Sequence, residues 1–541
     1  MIKHYSLLFL LMPLSLLGQF TRQDSLRGGL NPERLWWDVQ HYDLNITITP
    51  QTRTLKGVNT MTYRVMDSVR QMQVDLQDPM MLTRVMQKDR ALDFTREGAA
   101  YFITISENQT VGSQQNITLY FEGKPKNAIN PPWDGGVTWQ IDELNRPFIA
   151  TANQGIGASI WWPNKDHPYD EPDQGVKIAL LVPQNLTAVA NGRLLQTKEQ
   201  GAFTSYTWEV RNPINNYGVN INIGHYVHFN EIYNGLNGPL SMDYWVLDHH
   251  LDAARQQFKQ APMMMEAFEY WFGPYPFYED GYKLVEVPYL GMEHQSSVTY
   301  GNGFNNGYRG VDLSGSGWGD RFDFIIIHES GHEWFANNIT NTDVADMWIH
   351  ESFTAYSENL YLDYYFGKEA SQAYVLGTKK RILNDKPIIG PYHVNQEGSS
   401  DMYYKGANVL HTLRQLIDDD ALWRQILMGL NKDFYHQTIS SAQLEDYISS
   451  ASGIDLEAFW HQYLRTNRIP VLVYKMVQDQ LQFQYQDVVD HFDMPLKTRI
   501  NGVPQWIFPT HEWQSLTLPE PVTSFVIEKD FLVDTKVQNT P

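Results

Sequence analysis

The sequence predicts a multidomain α+β protein in three parts: a β-rich N-terminal region, a mixed middle that becomes helical, and a short β-rich end. Three observations predict it. From His41 to about Tyr226 apolar and polar residues alternate in short stretches, helical periodicity prevails from Arg321 to Leu464, and strand patterning returns after Pro470. At 541 residues the chain exceeds what one core supports, since single cores stop growing at about 250–300 residues.

Taken in order, Met1 to Gly18 has the outline of a signal peptide. Lys3 precedes an apolar stretch from Ser6 to Leu17, too short for a membrane span of ~20 residues. Export to the periplasm or exterior, without stable membrane insertion, is therefore expected. Residues 25–235 read as an all-β domain. Tyr42-Asp43-Leu44-Asn45-Ile46-Thr47-Ile48 alternates as a half-buried strand does, and Pro50, Gly57, Gly112 and Asn191-Gly192 supply turns. The next domain, 236–468, opens after Asn237-Gly238-Pro239. A helix is expected over Ala253 to Phe272, then a strand at Lys283 to Val287 that Pro288 marks as an edge. Seven glycines between Gly301 and Gly319 predict a mobile loop beside a cleft. Residues 469–541, with Val471-Leu472-Val473-Tyr474 and Ser524-Phe525-Val526-Ile527, predict a small β-sandwich.

Composition narrows the function. A net charge of −21, with no clustered Lys and Arg, argues against nucleic-acid binding. Zero cysteines exclude disulfides, thiolate metal ligands and a cysteine nucleophile.

The chemistry is carried by His328-Glu329-x-x-His332. On a helix, residues i and i+4 lie one above the other, so both imidazoles can share one metal. With 17 histidines in the chain, such a motif arises by chance in only about 3% of similar sequences. The apolar Phe324-Ile325-Ile326-Ile327 before it and Trp334-Phe335-Ala336 after it predict a buried helix. Glu351 follows nineteen positions after His332. Two histidines and a carboxylate leave zinc the fourth position that hydrolysis requires. Glu358, seven residues beyond Glu351, lies on the same helical face, where it is either an acceptor for a ligand imidazole or an ordinary surface glutamate.

Together with Gly291-Met292-Glu293-His294 upstream and Tyr403-Tyr404-Lys405-Gly406 downstream, this order resembles the gluzincin family that includes aminopeptidase N and leukotriene hydrolase. The resemblance covers nearly the whole chain after residue 18, including His41-Tyr42-Asp43-Leu44 and Gln154 through Trp161-Trp162-Pro163. It implies a saddle-like N-terminal β-sheet domain, a thermolysin-like α/β catalytic domain and one zinc ion held by His328, His332 and Glu351. Glu329 would be the general base and Tyr403 the donor to the oxyanion, with Tyr404 its alternative. Glu293, helped by Gln154, would hold the free α-amine of a peptide substrate. Leu290 and His294 depart from the family's Gly-x-Met-Glu-Asn strand, which bears on the amine pocket and on the first side-chain pocket. Members often continue into a long helical domain, so here a cleft more open, or closed by its own loops, is expected.

The leading expectation is an exported zinc aminopeptidase. A thermolysin-like endopeptidase would use the same zinc chemistry, and a catalytically silent peptide-binding scaffold would keep the fold alone.

Overall fold

In the computed structural model, which describes residues 20–68 and 70–538, two hydrophobic cores organise the chain. The expected signal peptide lies outside the described residues. The N-terminal core is enclosed by three sheets. The largest, eight-stranded, is built on Trp37–Thr49, which pairs antiparallel with Thr54–Val65 and parallel with Val176–Pro183. Burial along Val176–Pro183 alternates residue by residue, as a strand with one wet face requires. A four-stranded sheet contains Gly136–Ile141 and Pro147–Ala152, and a three-stranded sheet contains Gln71–Asp75. Trp162 is fully buried and meets Tyr42 edge-on at 4.9 Å.

The second core belongs to the middle and end of the chain together. A five-stranded sheet runs in the order Tyr226–Gly235, Gly238–Leu247, Tyr282–Glu286, Val298–Tyr300, Gly291–Met292, with helices packed on it. The C-terminal strands form a four-stranded and a three-stranded sheet. Their apolar residues, such as Leu481 and Leu532, join the same cluster as the helices. Tyr463 on the last helix, Glu457–Leu464, donates to the Leu532 carbonyl at 2.7 Å, so this small sandwich is docked rather than tethered.

Three local readings change. Asn237-Gly238-Pro239 is a hairpin turn, not a domain junction: Gly235 pairs with Gly238, which takes φ +103°, and both strands join the five-stranded sheet. That sheet therefore begins at Tyr226. The helix expected over Ala253 to Phe272 is two, Leu251–Gln257 and Gln260–Phe272. Pro262 is the cause, because inside a continuous helix its ring would clash with the carbonyl of Phe258. Pro288 does not mark its own strand as an edge. Tyr282–Glu286 is central, and the chain turns after it to place Gly291–Met292 at the edge, antiparallel to Val298–Tyr300.

Arg34 and Asp75 hold the entry to the N-terminal domain. Their side chains are almost fully buried, and Arg34 Nη2 reaches Asp75 Oδ2 at 2.7 Å while Nη1 donates to the carbonyls of Arg27 and Gly29. Replacing one partner leaves a buried charge uncompensated. Arg34→Met is expected to destabilise this domain by about 3–5 kcal/mol, read from the shift of its urea unfolding midpoint.

Candidate metal centre

Three helices and one edge strand assemble the site. The helix Phe324–Gly331 starts at Asp323, whose carboxylate accepts from the backbone N–H groups of Ile325 and Ile326. The same carboxylate accepts from Tyr300 Oη at 2.7 Å and from Asn302 Nδ2 at 2.9 Å, which ties the glycine-rich loop to the helix start. That loop lies beside the cleft as expected, and Tyr308 and Leu313 line it. His332 caps the helix in αR geometry, so the i, i+4 relation to His328 survives the helix end.

Glu351 sits in the first turn of the helix Trp348–Phe366. Gly331 lets the two helices touch: a Cβ there would stand 2.6 Å from Ser357 Oγ and 3.2 Å from Thr354 Cγ2. A second glycine does the same on the far side. In the helix Tyr404–Ile417, a Cβ on Gly406 would overlap Ser352 Oγ at 1.9 Å. His328, His332 and Glu351 thereby converge, each buried, with one donor atom apiece within 4.8 Å of the others. Glu351 Oε2 lies 3.7 Å from His328 Nε2 and 3.4 Å from His332 Nε2. Donors on a tetrahedral zinc stand about 3.3 Å apart, so the triad is already near the required spacing.

The far nitrogen of each imidazole is occupied. His328 Nδ1 lies 2.8 Å from Glu358 Oε1, and Glu358 is held in turn by Tyr374 Oη at 2.6 Å. His332 Nδ1 faces the Phe335 carbonyl and Thr354 Oγ1, each at 3.0 Å. Both imidazoles thus present Nε2 to the shared space, the orientation that metal ligation needs. Glu351 Oε2 is buried and has no hydrogen-bond partner, while its Oε1 accepts from Gln154 Nε2 at 2.8 Å. An orphaned carboxylate oxygen facing two imidazole nitrogens fits a divalent cation. A second set, Glu293, Glu329 and His332, also lies within 4.8 Å and offers one imidazole between two carboxylates.

The charges are unbalanced. Burial, then the pull of nearby His332 against the push of Glu351, leaves Glu293 raised above the usual carboxylate range. Burial raises Glu329 to about 7, with His328 opposing and Glu293 adding to it. Glu351 is buried too, yet His332 and His328 hold it low. Glu293 Oε1 has no partner, and the residue stands at the end of the edge strand, where Asn337 Nδ2 holds its carbonyl at 2.9 Å. Tyr403 precedes its helix with its ring stacked 6.1 Å from that of His328. Burial keeps its phenol protonated and hence a donor. Tyr404 instead lies under the Arg381 guanidinium at 5.9 Å.

His328, Glu329, Gln154, Tyr403 and Tyr404 line a cleft of about 620 Å³ whose walls also include Trp133, Leu290, Phe324 and Glu397. Leu290, one of the two departures from the family strand, therefore shapes the cleft. The other, His294, is fully buried with Nδ1 3.4 Å from Thr299 Oγ1, and burial lowers it to about 3. A hollow of similar size on the large N-terminal sheet is lined by no histidine or carboxylate. Sequence reasoning missed Glu397, a fourth carboxylate raised to about 6 by burial and by Glu351 and Glu293, because no motif surrounds it. It missed Thr354 and the Phe335 carbonyl as well, and only the i+3 position of Phe335 after His332 could have suggested the latter.

Residues 257–463 match the peptidase family M1 domain. Human aminopeptidase B is 26% identical over 338 residues, 58% of this chain and 48% of that protein. Aminopeptidase N of Lactococcus lactis subsp. lactis is 26% identical over 204 residues, 33% of this chain and 24% of its own. The chain therefore matches less than half the length of these curated relatives. An M1 zinc metallopeptidase from Deinococcus radiodurans has the same fold, with a TM-score of 0.69 at 20% identity over 81% of this chain and 96% of its own. A mutant M1 zinc metallopeptidase from that organism, bound to a Tyr-Ser-Ala substrate, superposes with a TM-score of 0.68 at 20% identity over 82% of this chain and 98% of its own.

Two outcomes follow from the packing. Glu358→Gln should weaken zinc retention about 10–100-fold with the fold intact, read by competition against a chelator. Gly331→Ala should cost about 1–3 kcal/mol of stability, read by denaturant unfolding, because a methyl group has no room against the helix Trp348–Phe366.

Proposed function

From its place in the gluzincin peptidase M1 family, we infer that this chain is a zinc aminopeptidase that removes N-terminal residues from peptides. The observation that carries the direction of cutting is Glu293, a buried carboxylate with an unpartnered oxygen beside Glu329 and His332. A buried carboxylate asks for a cation, and the α-ammonium of a peptide is one. Held there, a peptide presents its first carbonyl to the triad and no other. The aminopeptidase names of the relatives support the same reading.

In this reading one zinc ion is held by His328, His332 and Glu351, and it supplies Lewis acidity towards a water and the scissile carbonyl. Glu329, a buried carboxylate one residue from His328, accepts a proton from the attacking water and returns it to the leaving amine. Tyr403 donates its phenolic hydrogen to the carbonyl oxygen as negative charge develops there. Gln154, whose amide nitrogen is engaged by Glu351, offers the ammonium only its carbonyl oxygen and otherwise fixes the carboxylate of the triad. The edge strand Gly291–Met292 faces the cleft and suits an extended peptide lying alongside it. The leader-like Met1 to Gly18 supports export to the periplasm or exterior, which fractionation of expressing cells would test.

Glu329→Gln should lower kcat by about 10²–10⁴-fold while bound zinc, measured by elemental analysis, stays at the wild-type level. Loss of zinc together with activity would sink the base assignment. Acetylating the amine of an aminoacyl substrate should abolish cleavage; persistent turnover would leave the endopeptidase reading in place instead.

A further inference from the structure

Away from the cleft, where the N-terminal domain meets the five-stranded sheet, three more metal-type donors converge. Glu143 occupies the turn between Gly136–Ile141 and Pro147–Ala152, and His249 and His250 directly follow the strand Gly238–Leu247. One donor atom from each lies within 4.8 Å of the others. His249 Nε2 and His250 Nε2 stand 3.8 and 3.7 Å from the same oxygen, Glu143 Oε2, and the two rings are 4.2 Å apart. Small side-chain rotations bring these to the ~3.3 Å of a tetrahedral zinc site.

Exposed histidines and glutamates meet by chance, but these imidazoles are aimed. His250 Nδ1 lies 2.6 Å from Glu286 Oε1, and Glu286 is buried, with its other oxygen accepting from the Leu247 N–H at 2.8 Å. A carboxylate so fixed accepts a hydrogen bond from Nδ1–H, so in the neutral imidazole the Nε2 lone pair faces outward. His249 Nδ1 lies 3.1 Å from Asp248 Oδ1 and 3.2 Å from Arg146 Nη2. A cation at Nε2 selects the tautomer that donates to Asp248, and Arg146 keeps its bonds to Asp142 and Asp248. Carboxylate, imidazole and open nitrogen in line is the order found around bound metals.

We propose that Glu143, His249 and His250 form a second site, distinct from the cleft, for a borderline divalent cation such as zinc. Two imidazoles and one carboxylate favour zinc or copper(II) over calcium or magnesium, which prefer all-oxygen shells. The ligands come from both sides of a domain seam that Arg146 and Asp248 already bridge at 2.6 Å, so the ion ties the N-terminal domain to the central sheet. The His250 ring also meets Phe304 of the glycine-rich loop edge-on at 5.5 Å. Tyr308 and Leu313 of that loop wall the cleft, so the tie steadies a wall of the candidate active site.

Equilibrium dialysis of the full chain against buffered zinc, followed by elemental analysis, tests this. The wild type should hold one zinc more per chain than the double variant Glu143→Ala/His249→Ala, and, starting from protein whose cleft site is already filled, further zinc should raise the wild-type Tm by a few degrees more than that of the variant. Glu143→Ala alone, on an exposed turn that no core residue depends on, should weaken this second binding at least tenfold. Equal zinc content in wild type and double variant at every free zinc concentration would overturn the proposal.

Discussion

The contact that the rest of the catalytic half depends on is the seating of the helix Trp348–Phe366 between its two neighbours. Gly331 faces it from one side and Gly406 from the other, and in each case a single added Cβ would strike a serine of that helix. Because interiors are close-packed, such contacts have no slack. Glu351 owes its distance from His328 and His332 to this seating, and so does Glu358, which reaches back to His328 Nδ1. Ligand, orienting carboxylate and the Tyr403 segment therefore move as one unit. A shift that displaced one of them would displace all.

What was legible in the sequence follows the range of each interaction. The His328, Glu329, His332 and Glu351 set is legible because the first three share one helical turn and the fourth opens the next long helix. The strand alternation of the N-terminal domain is legible for the same local reason. Gly331 and Gly406 look like ordinary helix residues, since what they permit is contact with a helix elsewhere in the chain. Pro262 was readable by its own rule, yet the apolar periodicity around it argued for one helix and obscured the break. Asn237-Gly238-Pro239 reads as the opening of a new domain, since a hairpin turn and a domain junction use the same residues. Glu143 lies about a hundred positions from His249 and His250, and no spacing rule joins them.

The two metal-type clusters show the same construction at different depths. In the cleft His328 is oriented by Glu358; at the seam His250 is oriented by Glu286. Each orienting carboxylate is buried and held by a second donor, Tyr374 Oη in one case and the Leu247 N–H in the other. The difference is the outer ligand. Glu351 is enclosed, whereas the Glu143 side chain is 76% exposed and sits on a turn. Enclosure suits an ion that must stay, and an exposed turn suits one that exchanges with the medium.

Electrostatics explains why the cleft needs cations at all. Glu293, Glu329, Glu351 and Glu397 surround two imidazoles, and burial strengthens each repulsion among them. In the proposed reading two cations offset the surplus, a zinc ion at His328, His332 and Glu351 and a peptide ammonium beside Glu293. The second has a consequence for the proposed base. Glu293 is among the charges that raise Glu329, so a cation beside Glu293 opposes that push. In the proposed reading, a peptide bound by its free amine favours the ionised carboxylate that can accept a proton. A peptide blocked at the amine leaves the repulsion in place, so recognition of the amine and readiness of the base depend on the same pair of glutamates.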